Sequence, residues 1–177
     1  MIKNISLDRM REYSHCTDFV LKERLQPEYV YSYWMSLILI VSRSLRLTFK
    51  THYLTTTASF LTHQLVKGGE LVSQRQAIDF MKEYCNLTAG GIKRVLEFVG
   101  YPAGISLPVS CRGFDDIFYP KPSNSLGKEA AWDLIVGDKN VTCSVTVEIF
   151  DTTELAKIVD VKLDDPALFK SGSVEFL

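Results

Sequence analysis

The apolar residues of the first hundred positions recur mainly at intervals of three and four, which is the spacing of a helix. The strongest such stripe, from Val30 to Leu45, follows Pro27, a residue that suits a first helical turn, and predicts a central buried helix. Its most apolar part, 29–41, is shorter than the roughly 20 residues that cross a bilayer, so we expect no membrane span. Shorter patterns predict further helices that begin near Ser6, Thr17 and Leu54.

Residues 73–101 have the pattern of two helices joined by a tight turn. Ser73 followed by Gln76 is typical of a capping box, and Thr88 can cap a second helix after a stop near Asn86. With strands after this pair in the place of a wing, the segment predicts a helix-turn-helix-like unit. The same pattern is equally expected of two helices that only pack against the central helix, and we favour that simpler interpretation.

Beyond Pro102 the period of the apolar positions changes to two, which is the signature of strands. Residues 105–111 predict an edge strand, because Pro108 cannot donate a ladder hydrogen bond. Over Val141–Ile149, apolar residues alternate with Thr, Ser and Glu, which predicts a strand with one buried face. A further strand over 157–163 would pair with it and complete an antiparallel meander.

We therefore expect an α+β fold in two parts. The first part, 1–102, is predicted to be mainly helical, and the second, 103–177, to be rich in strands. The two parts could also form one continuous domain. Residues 119–128 have the Pro, Ser, Asn and Gly content of a surface loop and are the candidate linker.

The charge of the chain argues against a general attraction to nucleic acid. The 177 residues carry a formal net charge of -1, and 46% of them are hydrophobic, which is typical of a globular protein. The total hides an asymmetry, because residues 1–100 hold 13 Lys and Arg against 9 Asp and Glu. A polyanion would therefore have to contact the N-terminal part.

The cysteines carry no metal or redox motif. Cys16, Cys85, Cys111 and Cys143 are scattered and form no C-x-x-C pair, so we expect free buried thiols, although spacing alone also permits two disulfides. The charged N-terminus lacks the apolar stretch of a secretory signal. These features together predict a cytoplasmic protein.

The candidate chemistry is a set of basic and glycine residues that could contact phosphate. Adjacent Lys93 and Arg94 would be exposed on the second helix of the pair, and glycines at its N-terminus would allow a phosphate to approach backbone N–H groups. Three more cations at helical spacing would extend this surface from the end of the central helix. The candidate nucleic-acid-binding set is Gly90, Gly91, Lys93, Arg94, Arg43, Arg46 and Lys50.

Catalysis has little support in the sequence. The phosphate-binding loop, dinucleotide fingerprint and nucleophile elbow are all missing, and no histidine pair has metal-ligand spacing. His15 beside Cys16 would diverge on a helix by about 100 degrees and cannot form a dyad. The pairs Asp115–Asp116 and Asp164–Asp165 could bind a cation, but they sit at expected turns, where Asp is common. We assign no catalytic residue, metal or cofactor.

The sequence favours a non-enzymatic protein that binds a macromolecule. We prefer a protein-binding or assembly subunit of a larger complex, because the net charge is near zero and no basic patch dominates. The alternative is a nucleic-acid-binding regulator that uses 73–101. An enzyme with dispersed site residues is a third class, and no small-molecule substrate is evident.

Overall fold

The computed structural model describes residues 1–24, 32–65, 71–113 and 128–151. Over these ranges the chain forms three helices and one seven-stranded antiparallel sheet, which confirms the expected α+β class. The helices are α1 (Ile2–Ser14), α2 (Thr55–His63) and α3 (Gln74–Phe98). The strands are β1 (Val20–Arg24), β2 (Trp34–Val41), β3 (Leu45–Tyr53), β4 (Gly104–Ile105), β5 (Val109–Arg112), β6 (Lys128–Val136) and β7 (Lys139–Ile149).

The central helix predicted over 30–45 is wrong, because its described part is a β-hairpin. Strands β2 and β3 pair in antiparallel register from Trp34 opposite Tyr53 to Val41 opposite Arg46. The turn between them is closed by the Ser42 amide, which donates to the Leu45 carbonyl over 2.9 Å. A short, continuously apolar run is compatible with a buried strand or a buried helix, so spacing alone could not separate them. No helix in the described ranges is long and apolar enough to span a membrane.

The N-terminal segment forms one helix and one strand rather than two helices. Helix α1 begins at Ile2, and Ser6 lies inside it, where its hydroxyl donates to the Lys3 carbonyl. The helix predicted near Thr17 is wrong, since that segment leads into β1. Strand β1 pairs with β6, more than a hundred residues further along the chain. Such a distant partner leaves no local signal in the sequence.

The sheet combines strands from both predicted parts of the chain. Its order is β1-β6-β7-β3-β2-β4, and β5 also pairs with β2. Three strands therefore come from 1–102, the part that we expected to be mainly helical, and they share a sheet with the later strands. The strand predicted over 105–111 is two short strands, and Pro108 lies between them. Residues 119–127 of the predicted linker and the strand predicted over 157–163 lie outside the described residues, and Lys128 is the first residue of β6.

The helix-turn-helix prediction is wrong, because 74–98 is one helix of 25 residues. Its N-terminus is the predicted capping box. The Ser73 hydroxyl oxygen accepts from the backbone N–H of Gln76, and the Gln76 side-chain oxygen accepts from the backbone N–H of Ser73. The helix passes through Asn86 without a turn. Buried positions continue at helical spacing across that point, so packing on the sheet outweighs the weak helix propensity of Asn and Gly. These positions are Ala77, Phe80, Met81, Tyr84, Cys85, Thr88, Ala89, Ile92, Val95 and Leu96.

The core lies between the helices and one face of the sheet. Trp132 of β6 is fully buried, and its ring lies 6.2 Å from that of Phe49 on β3. Two buried polar atoms tie α1 into this core: Trp132 Nε1 donates to Ser6 Oγ over 2.8 Å, and the Tyr84 hydroxyl donates to the Ser6 carbonyl over 3.0 Å. Helix α1 is thus bonded both to the sheet and to α3, and the face of α3 opposite its buried side is outward.

Candidate functional site

The outward face of α3 carries a line of polar positions interrupted by one glycine, which we call the outer stripe. Its members recur at intervals of three and four, so they lie along one side of the helix. All of them are exposed or half-buried, in contrast to the fully buried inner face. The outer stripe consists of Asp79, Lys82, Glu83, Asn86, Gly90, Lys93, Arg94 and Glu97.

The first half of the outer stripe is mainly acidic. Asp79 is neutralised by Lys82 at 2.8 Å, whereas Glu83 makes no ion pair with any residue that the structure describes. Asn86 Nδ2 lies 3.5 Å from Glu83 Oε2, at the limit of a hydrogen bond. Partial burial, and then the negative charge of Glu83, raise the pKa of Tyr13 on α1. The Glu83 carboxylate and the Asn86 amide therefore stand side by side with hydrogen-bonding capacity to spare.

The second half of the outer stripe is mainly basic. Lys93 pairs with Glu97 at 3.5 Å, one helical turn further on. Arg94 lines a cavity of about 270 Å³ between α1 and α3, together with the α1 residues Arg9 and Asp8. Arg9 pairs with Glu12 on its own helix, whereas Arg94 makes no ion pair within the described part of the chain. The guanidinium of Arg94 is thus available to a partner.

Two adjacent glycines in the C-terminal half of α3 have different surroundings. A Cβ on Gly91 would lie 2.7 Å from Ile5 Cγ2, so Gly91 allows α1 to pack closely on α3. A Cβ on Gly90 would meet no described atom within 4 Å. Glycine inside a helix costs about 1 kcal/mol relative to alanine. Packing explains that cost at Gly91 but not at Gly90.

The structure does not bring the seven predicted nucleic-acid-binding residues together. Gly90, Gly91, Lys93 and Arg94 lie within α3, so the glycines are inside the helix and cannot present its free N–H groups to phosphate. Arg43 is exposed in the turn between β2 and β3, outside this helix.

The remaining two predicted cations lie on β3, on the sheet face that α3 does not cover. Arg46 and Lys50 alternate with Leu47 and Phe49, which are buried in the core under the helices. Arg46 is bound to Glu148 of β7 through two hydrogen bonds, one of them 2.7 Å long. With its helices merged into one and its cations on two faces, the DNA-binding prediction is wrong.

No metal site occurs among the described residues, since no three His, Cys, Asp or Glu side chains converge there. Cys85 and Cys143 are free and buried in the core, and burial raises the pKa of Cys85 to about 12. Asp115–Asp116 and Asp164–Asp165 lie outside the described residues. Glu83 and Asn86 were not among the predicted site residues, although the spacing of polar positions over 79–97 was a usable signal.

No family model and no curated protein sequence matches the chain. Solved structures do match it. The chemotaxis protein CheX from Vibrio vulnificus has a TM-score of 0.65 at 15% identity and covers 83% of this chain and 96% of its own. A CheX-CheY-BeF3-Mg2+ complex from Borrelia burgdorferi matches with a TM-score of 0.66, 14% identity, and coverage of 83% and 95%. A FliM-SpeE complex from H. pylori matches with a TM-score of 0.60, 9% identity, and coverage of 92% and 90%. The chain therefore has the fold that these proteins share.

Proposed function

We propose that this chain acts by binding a partner protein, as one component of a signalling or motility complex. The observation that carries the proposal is the shared fold, because two proteins with this fold were solved in complex with another protein: a CheX with CheY, and a FliM with SpeE. Each matches more than four fifths of this chain. A fold hosts many functions, so this chain's own residues determine which surface binds a partner.

The outer stripe is the surface that fits reversible protein binding. It lies on a 25-residue helix whose inner face is locked in the core, so its side chains are held at fixed spacing. It is polar and mixed in charge rather than apolar, as expected of a surface that must remain soluble when the partner leaves. Complementary charges on such a surface favour fast and specific association.

A receiver protein of the CheY type is the partner that we propose. The Borrelia burgdorferi complex of CheX with CheY contains BeF3 and Mg2+, and beryllium trifluoride mimics a phosphoryl group. In our chain Glu83 and Asn86 offer an acceptor and a donor from one turn of the helix to polar groups of such a partner. Arg94, three turns further on, offers a cation.

The test is to mix the purified chain with Borrelia burgdorferi CheY, with and without BeF3⁻ and Mg²⁺, and to measure affinity by calorimetry and size by light scattering. We expect a complex with the BeF3⁻-loaded receiver. A Glu83→Ala, Asn86→Ala double variant should bind roughly tenfold or more weakly. Thr56→Ala, an exposed change on α2, is the matched control and should bind normally.

Circular dichroism of each variant separates lost binding from lost folding. Absence of a complex with either form of CheY would overturn the receiver proposal. Equal binding by wild type and the double variant would move the contact away from Glu83 and Asn86. Light scattering of the chain alone also measures self-association, the other form of assembly that a subunit of a complex could show.

A further inference from the structure

Gly90 interrupts the outer stripe at a point where no described packing requires a glycine. The neighbouring Gly91 is explained by Ile5, which leaves no room for a Cβ, whereas the position of a Cβ on Gly90 is open within the described residues. Glycine lowers the stability of a helix interior, so alanine would be the better residue on folding grounds alone. Glycine is also the residue that permits another backbone to approach closely.

Charged groups without ion pairs lie on both sides of Gly90. Glu83 precedes it by two turns and Arg94 follows it by one turn, and neither is paired with a described residue. The other four charges of the outer stripe are paired with each other, Asp79 with Lys82 and Lys93 with Glu97. At 1.5 Å per residue, Glu83 and Arg94 stand about 16 Å apart along the helix. The charges of the stripe without ion pairs are thus acidic on the N-terminal side of Gly90 and basic on its C-terminal side.

We propose that Gly90 is the point of closest approach in the partner interface. This inference rests on the proposed function and specifies the docking element of the receiver. That element lies across α3 with its backbone over Gly90, a basic group toward Glu83 and an acidic group toward Arg94. The charge order sets the direction in which the partner lies along the helix. The missing side chain sets how near it comes.

Substitutions at Gly90 separate this role from a role in folding. Gly90→Ala should raise the melting temperature, because alanine favours the helix, and at the same time weaken binding to BeF3⁻-loaded CheY several-fold. Gly90→Leu should weaken binding by about tenfold or more, because its side chain occupies the space of the partner backbone. Thr56→Leu adds similar bulk at an exposed position of α2 and should leave binding unchanged.

Charge reversal tests the orientation of the partner. Arg94→Glu should slow association several-fold, and the difference from wild type should shrink as salt is added, because exposed charges are screened. If Gly90→Leu and Arg94→Glu bind the receiver as tightly and as fast as the wild type does, this inference is overturned while the proposed function stands. If the folded wild-type chain binds no receiver, the proposed function itself fails, and the inference fails with it.

Discussion

His15 ends α1 in a conformation that side chains disfavour. Its backbone has φ of 55 and ψ of 22, the left-handed region in which glycine is the usual residue at a helix C-terminus. His15 is exposed, so we expect truncation of its side chain to remove little packing. We expect His15→Gly to raise the free energy of unfolding by about 1 kcal/mol, as measured by urea denaturation. His15→Val, which is β-branched, should lower it, and a stabilising valine would contradict this assignment of strain.

Glu148 couples the stability of the sheet to pH. It is 7% exposed, and hydrogen bonds from Arg46 lower its pKa below the ordinary value of 4.5. In the unfolded chain this carboxylate therefore takes up a proton at higher pH than in the folded protein. Its stabilising contribution is complete above that ordinary value and is lost as the pH falls through the lower, folded value.

Glu148→Gln should remove that contribution. We expect a loss of about 0.5–1 kcal/mol at neutral pH, a modest value because the Arg46 side chain is 43% exposed. The stability of the variant should also decline less steeply below pH 5 than that of the wild type. Melting temperatures measured across a pH series give this comparison. Glu129→Gln, an exposed change on β6, is the control. An acid decline of unchanged slope in Glu148→Gln would exclude Glu148 as its source.

At the scale of the element, α3 contains two adjacent glycines for which we expect substitution by alanine to have opposite effects on stability. Gly90→Ala should stabilise the chain by about 1 kcal/mol through helix propensity alone. Gly91→Ala should destabilise it by roughly 1–3 kcal/mol, because the new methyl group would press on Ile5 at 2.7 Å and push α1 away. Urea denaturation of both variants gives the comparison. If both variants are more stable than the wild type, α1 can move to make room for the methyl group. Close packing of α1 on α3 would then not require a glycine at position 91.

Helix α3 also shows which of its features local sequence signals predict and which they do not. Its N-terminus was predicted from Ser73 and Gln76, because a capping box is satisfied within four residues. The turn predicted near Asn86 does not form, because the buried face of the helix continues across it on the sheet. Stability gained by that burial is larger than the small propensity penalties of Asn and Gly.

At the scale of the whole molecule, the core separates the thiols into two classes. Cys85 and Cys143 are fully buried, and burial raises the pKa of both, whereas Cys16 and Cys111 are only half-buried. The thiolate is the reactive form, so the two core cysteines should resist a thiol reagent at pH 8 as long as the chain is folded. A Cys16→Ser, Cys111→Ser variant should therefore show no labelling until denaturant is added. Rapid labelling of that variant without denaturant would mean that the core opens readily.

The sequence by itself determined the features that depend on near neighbours. The α+β class, the helix from Thr55, the capping box at Ser73 and the alternating strand Val141–Ile149 were all predicted, since periodicity and caps are satisfied within a few residues.

Only the tertiary structure decided what depends on distant partners. The apolar run that became β2 is a strand because β3 and β5 supply hydrogen-bond partners on its two sides. Arg24 finds Asp133 across more than a hundred residues at about 3 Å, a pairing that no local pattern encodes. The outer stripe became a surface only when packing on the sheet buried the other face of α3, because burial on one side is what defines exposure on the other.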